Sequence, residues 1–361
     1  MYENELFTGK RYRMGYVFDA CPDSDWLIVT FSAVAAKNSP VKHHYSFGQS
    51  LTNYQVNKLY LQDTPGEEGC YYLCTGLDFG IADTVCDLIL KICKKNHIPL
   101  SHVITVGSSK GGSAALYFGF RLNLGHVIAL VPQTRIGTYA RQTHKSIFAC
   151  MAGDSDPDTA QKILDDVIPN AVRQNDKSTV LHLLTSRGDQ QYHTHIEPLL
   201  RSIDTDDTAH CDVLIDNRIA SHADTINYSR SYVQNTIDKI LVGNTGWCGI
   251  SEPDKVVDIR LDRIILGYEL TCRGLTVGMT LTVNSNIYDY SLPALFAFYL
   301  LNEAGEIIEK RGYSTLQCTH FQVPFPGKYY IRYFVSYNSA KKAWKSRAFD
   351  VSGDDSKEVY V

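Results

Sequence analysis

The chain has 361 residues, 35 of them basic and 39 acidic, for a net charge of −4. Hydrophobic residues make up 44% and charged residues 20%, a globular balance that excludes a disordered, collagenous or coiled-coil chain. That length accommodates two domains or at most three, and with no segment gathering the basic residues nucleic acid is not an expected partner.

The first two-thirds alternates short β-rich runs with helical patterns. Trp26 to Phe31 is a continuous apolar strand, and after a looped stretch Cys70-Tyr71-Tyr72-Leu73-Cys74 is the next apolar run. Ile81 to Lys95 carries apolar residues at helical spacing and closes on lysines, which complement the helix dipole. His102 to Val106 reads as a buried strand, and a helix follows over Ser113 to Phe120. His126–Val131, Thr179–Leu184 and Cys211–Ile215 are three more strands, and Ala223 to Leu241 is a terminal helix. Strands separated by helices predict an α/β fold with a mostly parallel sheet and helices on both faces. Residues 137–176 read as largely helical and polar, the size of an insertion that forms a lid or one wall of a pocket.

The pattern changes after Val242-Gly243-Asn244-Thr245-Gly246. Strands of alternating polarity are expected near 256–261, 263–271, 277–283, 294–301, 306–311, 319–323, 328–336 and 345–350, with turn residues between them. This predicts two domains: 1–243, an α/β domain, and 247–361, an Ig-like β-sandwich. Its aromatics, Trp344 among them, are expected mainly in the sandwich core.

Ten cysteines stand in a chain that opens without a segment of signal-peptide type and contains no apolar run of membrane-spanning length. Reduced thiols, a cytoplasmic location and no membrane span are the expectation. Cys70 and Cys74 lack a second pair at zinc-binding spacing, so no metal is expected. No motif calls for a cofactor.

The sharpest signal is Val106-Gly107-Ser108-Ser109-Lys110-Gly111-Gly112, which contains Gly107-x-Ser109-x-Gly111 directly after a buried strand and directly before a helix. A nucleophile elbow needs that context: a tight, strained turn with small flanking residues lifts the hydroxyl above the sheet, and the helix N-terminus aims partial positive charge at it. The segment lacks the residue order of a P-loop. The glycine spacing favours Ser109 over Ser108 as nucleophile.

A serine needs a base, and the base an orienting carboxylate, in the chain order Ser, acid, His. Asp189 stands just past the strand ending at Leu184, and His222 in the loop after the strand ending at Ile215, so both emerge at the carboxyl edge of the sheet. His193 and His195 rival His222, and Asp216 and Asp224 rival Asp189. The oxyanion donors expected are the backbone N–H of Lys110 and that of Ser32 or Ala33, in the loop after the early strand. The Lys110 and Arg187 side chains are either solvated charges or, if they point into the cleft, contacts for an anionic or polyhydroxylated substrate.

With Ser109 in its GSSKGG turn, Asp189 and His222, residues 15–241 resemble the α/β-hydrolase superfamily. The continuation GSSKGGSAALYFGF is similar to bacterial capsular polysaccharide biosynthesis proteins and, more distantly, to the O-acetyltransferase of the accessory Sec glycoprotein export system. The early strand lacks a His-Gly-Gly oxyanion motif, which counts against a lipase. The resemblance implies a Ser–His–Asp enzyme, an esterase or O-acyltransferase, acting on a glycan or acylated small molecule, with capsule-assembly proteins as partners. A non-catalytic capsule scaffold whose sandwich is the binding surface, and a serine peptidase on the same triad, are the alternatives.

Overall fold

The computed structural model describes residues 4–35, 39, 41–203, 211–243, 249–251, 264–283, 294–337, 340–353 and 359–360. The chain divides into two compact units, residues 1–229 with 243–254, and residues 230–242 with 255–361.

The first unit is built on nine strands: β1 (Glu5–Thr8), β2 (Arg13–Asp19), β3 (Leu27–Phe31), β4 (Asn57–Leu61), β5 (Val103–Ser108), β6 (His126–Leu130), β7 (Val180–Thr185), β8 (Cys211–Ile215) and β9 (Gly249–Ser251). They form one sheet in the order β1-β2-β4-β3-β5-β6-β7-β8-β9. The β1–β2 and β2–β4 pairs are antiparallel, and every pair from β4–β3 to β8–β9 is parallel. Helices lie between the strands: α1 (Gly48–Leu51), α2 (Gly80–Lys95), α3 (Lys110–Arg121), α4 (Ile136–Thr143), α5 (Lys145–Ala152), α6 (Pro157–Gln174) and α7 (Glu197–Ser202). Helix α8 (Ile226–Leu241) follows β8 and carries the boundary between the units.

Helices cover both faces of the sheet, which explains why β3, Leu-Ile-Val-Thr-Phe, is buried at every residue and shows no alternation. The amphipathic period of α2 has the same origin: Ile81, Val85, Leu88, Ile89 and Ile92 are buried along one stripe, and Lys94 and Lys95 close the last turn. The insertion at 137–176 is helical and consists of α4, α5 and α6, joining β6 to β7.

The stretch between Phe31 and Cys70, read as looped, contains a strand, and the apolar run that follows it is not one. Cys70–Cys74 is a buried turn, with Tyr71 and Tyr72 both left-handed at φ 58° and 60°. Its amides do not pair with a strand; those of Cys70 and Tyr72 donate to the buried carboxylate of Asp63. The strand is instead β4, whose polar Asn57 and Lys58 obscure it in sequence. Both are buried because each is satisfied: Lys58 Nζ lies 2.8 Å from Asp19 Oδ2, and the Asn57 amide donates to the carbonyls of Ser24 and Trp26.

The second unit holds two antiparallel sheets. One contains β10 (Ile265–Arg273), β11 (Thr276–Val283), β14 (Cys318–Gln322) and β18 (Val359–Tyr360) in the order β14-β11-β10-β18. The other contains β12 (Leu295–Asn302), β13 (Ile307–Ser314), β15 (Gly327–Tyr337) and β16 (Ala340–Lys345) in the order β13-β12-β15-β16, with β17 (Phe349–Val351) also pairing β15. They share one core, in which Leu270, Val277 and Met279 of one sheet meet Phe296, Phe298 and Ile331 of the other. The run expected as a single strand at 345–350 is split between β16 and β17, and the strand expected at 256–261 lies outside the described residues. Among the described residues no helix is long and apolar enough to cross a membrane, and the nine described cysteines form no disulfide.

Candidate active site

Strand β5 ends at Ser108, and α3 begins at Lys110. Between them Ser109 adopts φ 54°, ψ −121°, a left-sided backbone that an L-residue enters only under strain. The flanking glycines have concrete reasons. A Cβ on Gly107 would meet the Gly111 carbonyl oxygen at 2.0 Å, and one on Gly111 would meet that of Phe31 at 2.3 Å. The turn therefore lets the backbone of α3 approach both β5 and β3 more closely than any side chain permits. Ser109 is left half-buried at the carboxyl edge of the sheet, its amide donating to the Leu130 carbonyl at 2.9 Å. Ser108, the neighbouring hydroxyl, belongs to β5, in register with Leu130.

The register brings the ends of the next strands level with this point: Leu130 pairs with Leu184, and Thr185 with Ile215. The loops after β7 and β8 are tied together, since the Ser186 hydroxyl donates to the Ile219 carbonyl and the Asp216 amide to that of Thr185. His222, at the start of a short 3-10 turn, projects from the second loop. Its Nδ1 lies 2.7 Å from Asp189 Oδ2 and its Nε2 3.0 Å from Ser109 Oγ. Asp189 is 2% exposed, so Nδ1–H is its strong donor; Nε2 is thereby left to accept the serine proton. The second Asp189 oxygen accepts the Gln191 amide. Three side chains from three loops thus meet in one hydrogen-bonded line.

The rivals are otherwise engaged. Asp216 binds the Arg218 guanidinium through both oxygens, and Asp224 accepts the Ser221 hydroxyl. His193 is exposed and pairs with Glu197. His195 is buried; its Nδ1 accepts the Arg135 amide, and burial pulls its pKa down to about 4, which keeps the ring neutral.

Of the expected oxyanion donors, Lys110 is the first residue of α3, so its N–H has no acceptor within the helix. Ser32 is a different case. Its N–H donates to the Tyr72 hydroxyl at 2.9 Å, and that hydroxyl passes its own proton toward the Leu61 carbonyl at 3.1 Å. The Ser32 amide is committed to the core, which leaves Ala33 of the two. The Lys110 side chain is neither a solvated charge nor a substrate contact. It is 3% exposed and forms an ion pair of 2.7 Å with Asp63, itself 1% exposed, and Nζ also donates to the Glu68 carbonyl. Since Asp63 also gathers the Cys70 and Tyr72 amides, this pair ties the elbow to the 63–72 turn. Arg187 is exposed, with its guanidinium over the Tyr192 ring.

One residue escaped sequence reasoning. Gln133 is fully buried, and its Nε2 donates to Ser109 Oγ at 2.7 Å and to Gln191 Oε1 at 2.9 Å. Its backbone is clamped by Ser113, whose hydroxyl accepts the Gln133 amide and donates to its carbonyl. Ser109 Oγ therefore accepts from Gln133 on one side and donates to His222 on the other, which fixes its rotamer. The available signal was position: Gln133 follows β6 by three residues, at the same sheet edge as the other site residues. Tyr139 of α4 borders this network, its hydroxyl accepting from Gln191 at 3.5 Å and its ring meeting His195 edge-on. Among the described residues no group of three metal-ligating side chains could hold an ion.

No protein-family model matches the chain, and no curated protein does. The structure is similar to the capsule O-acetyltransferase of Neisseria meningitidis serogroup A, with a TM-score of 0.55 and 20% identity over 64% of this chain and 93% of that one. A histidine-to-alanine mutant of that enzyme in complex with CoA gives a TM-score of 0.56 and 20% identity over 65% and 94%. A glycosylation-associated protein (Gap123) complex from Streptococcus agalactiae gives 0.56 and 16% identity over 68% of this chain and 47% of that one. At these identities it is the fold that is shared, and with the strand order and the turn at Ser109 already described, the first unit has the α/β-hydrolase fold.

Proposed function

We propose that the chain is a serine-dependent acyl-transfer enzyme, an O-acetyltransferase or esterase acting on a surface or capsular glycan. The observation that carries this reading is the line Asp189–His222–Ser109, closed at 2.7 and 3.0 Å on a strained elbow. His222 Nε2 takes the Ser109 proton as Oγ attacks the acyl carbonyl, and Asp189 stabilises the imidazolium without itself being protonated. The oxyanion forms against the Lys110 N–H, with the α3 dipole behind it, and the Ala33 N–H. His222 then protonates the leaving group, and an acyl-enzyme remains on Ser109. A sugar hydroxyl, deprotonated by the same imidazole, or water completes the cycle.

The likeness to the meningococcal capsule enzyme, one of whose mutants was solved in complex with CoA, supports an acyl-CoA as donor and transfer over hydrolysis. The α4–α6 insertion is the element we assign as a lid that limits water. The test is intact-mass analysis after brief incubation with acetyl-CoA. Wild type should gain one acetyl group on the Ser109 peptide, and Ser109→Ala none. Absence of any adduct, together with no labelling of folded protein by a fluorophosphonate, would overturn the reading in favour of a non-catalytic scaffold.

A further inference from the structure

The outward face of the five-stranded sheet in the second unit is arranged unlike an ordinary solvated surface. Along β15 the residues alternate, with Tyr329, Ile331, Tyr333 and Val335 buried in the core while Lys328, Tyr330, Arg332 and Phe334 face outward. The register then sets one row across four strands. Lys310 of β13 pairs with Tyr299 of β12, Tyr299 with Arg332 of β15, and Arg332 with Lys345 of β16. At the usual interstrand spacing the row spans about 14 Å. Lys310, Arg332 and Lys345 are all exposed, and Arg332 stands directly opposite Lys345, a like-charge pairing that disfavours the isolated sheet.

Nothing acidic relieves this row among the described residues. Each cation lies over a ring: Lys310 over Tyr299 at 5.3 Å, Arg332 over Phe334 at 5.3 Å, Lys345 over Tyr330 at 3.7 Å. Lys341, two residues along β16 from Ala343, adds a fourth charge over Tyr313 at 5.3 Å. The acidic residues of this face sit at one end, around Lys328, where Glu303 lies at 3.8 Å and Asp350 is its register partner. In a chain of net charge −4, four cations have been gathered on one sheet face and held there by aromatic rings.

We infer that this face binds an anionic polysaccharide, a chain bearing carboxylate or phosphate groups, through the row Lys310–Arg332–Lys345 with Lys341 beside it. A like-charge pairing with no acidic neighbour among the described residues is relieved by a bound anion, and the row offers several cations to one polymer. Single-stranded nucleic acid is the less suitable occupant because binding it rests on open ring faces for base stacking, and here the rings are half-buried and already covered by cations. The Tyr299, Tyr313 and Tyr330 rings also present phenolic groups suited to hydroxyl-rich sugars. The inference deepens the glycan reading proposed above by naming an acidic glycan, but it involves neither Ser109 nor its loops.

The experiment measures binding of the full chain to polygalacturonate, with neutral dextran, poly(dT) and phosphatidylglycerol vesicles alongside. Polygalacturonate should bind with an affinity that falls steeply with salt, and dextran should not bind. Arg332→Gln/Lys345→Gln should weaken binding at least tenfold and flatten the salt dependence, while Ser109→Ala binds as wild type. The double variant should turn over a small acetate ester at the wild-type rate, so loss of catalysis and loss of this surface are read separately. Equal binding of dextran, tighter binding of poly(dT) or vesicles at the same salt, or an unchanged double variant would overturn the inference.

Discussion

The two units handle charge in opposite ways. In the first, ionic and polar side chains are buried at the carboxyl edge of the sheet and interlocked: Asp63 with Lys110, Asp189 with His222, Gln133 with Ser109. In the second, the cations lie on an open sheet face and the sandwich core is built chiefly of apolar and aromatic side chains, the buried Ser346 hydroxyl among them accepting the Ile331 amide. A buried polar group must be matched by partners of fixed geometry, so the first unit holds its atoms in fixed places, as the proposed acyl transfer requires. An exposed cation row keeps its hydration and has no such requirement; it suits a surface that meets a polymer by charge.

The sharpest way to break this comparison is to remove a member of the buried line. His222→Ala should lower turnover of an activated acetate ester by about 10⁴-fold in a variant that stays folded, though less stable for the lost donor to Asp189, read by steady-state kinetics and calorimetry. A loss below tenfold would remove His222 from the mechanism. Next in size is Lys110→Met, which leaves the Asp63 carboxylate buried without its cation. A loss of about 3–5 kcal/mol of stability is expected by denaturant unfolding. Lys110→Met combined with Asp63→Asn should recover part of it, because the uncompensated charge is gone while a side-chain oxygen still accepts from the Cys70 and Tyr72 amides. If the single variant is no less stable than the double, the pair does not hold the elbow.

These side chains were unequally legible in the sequence. Ser109, Asp189 and His222 could be read because a nucleophile elbow and strand-end loops impose order and spacing on the chain. The buried strands showed too, since burial on two faces demands continuous apolar runs. Strand β4 did not, because Asn57 and Lys58 satisfy their polarity with Ser24, Trp26 and Asp19, residues distant in the chain. The Cys70–Cys74 run deceived for the converse reason: its apolar side chains are buried, but its amides are taken by Asp63. Gln133 was invisible because its role depends on a single three-dimensional coincidence with Ser109, and the basic row of the second unit because it is assembled by register across four strands and no segment concentrates it.

Smaller effects sharpen the contrast. His195 has a folded-state pKa of about 4, against 6.5 for an ordinary histidine, with burial the main cause. Between those values the unfolded chain binds the proton and the folded chain does not, so stability is full above pH 6.5 and falls as pH drops toward 4. His195→Gln, which keeps an acceptor for the Arg135 amide, should flatten that part of the pH–stability curve by about 1–3 kcal/mol. An unaltered curve would mean that His195 does not contribute to it. Smaller again is Gln133→Leu. Removing one donor to Ser109 Oγ should lower kcat by about tenfold with little change in KM, since it frees the hydroxyl to rotate away from His222 without touching substrate. A rise in KM alone would instead assign Gln133 to substrate binding.

The least effect is expected on the open sheet face, and its sign depends on the neighbours. Lys310 stands opposite Tyr299, so Lys310→Gln loses only an exposed cation–π contact and should lower stability by about 0.5 kcal/mol. Arg332 contacts Phe334 but also opposes Lys345. Arg332→Gln loses the ring contact and relieves the like-charge pairing, two terms of similar size and opposite sign. Its melting temperature should therefore stay at or slightly above wild type, and the difference from Lys310→Gln should shrink as salt screens the repulsion. A strongly destabilised Arg332→Gln would make this arginine a structural member of the sandwich, and the contrast between an interlocked first unit and a freely substitutable second face would fail at that position.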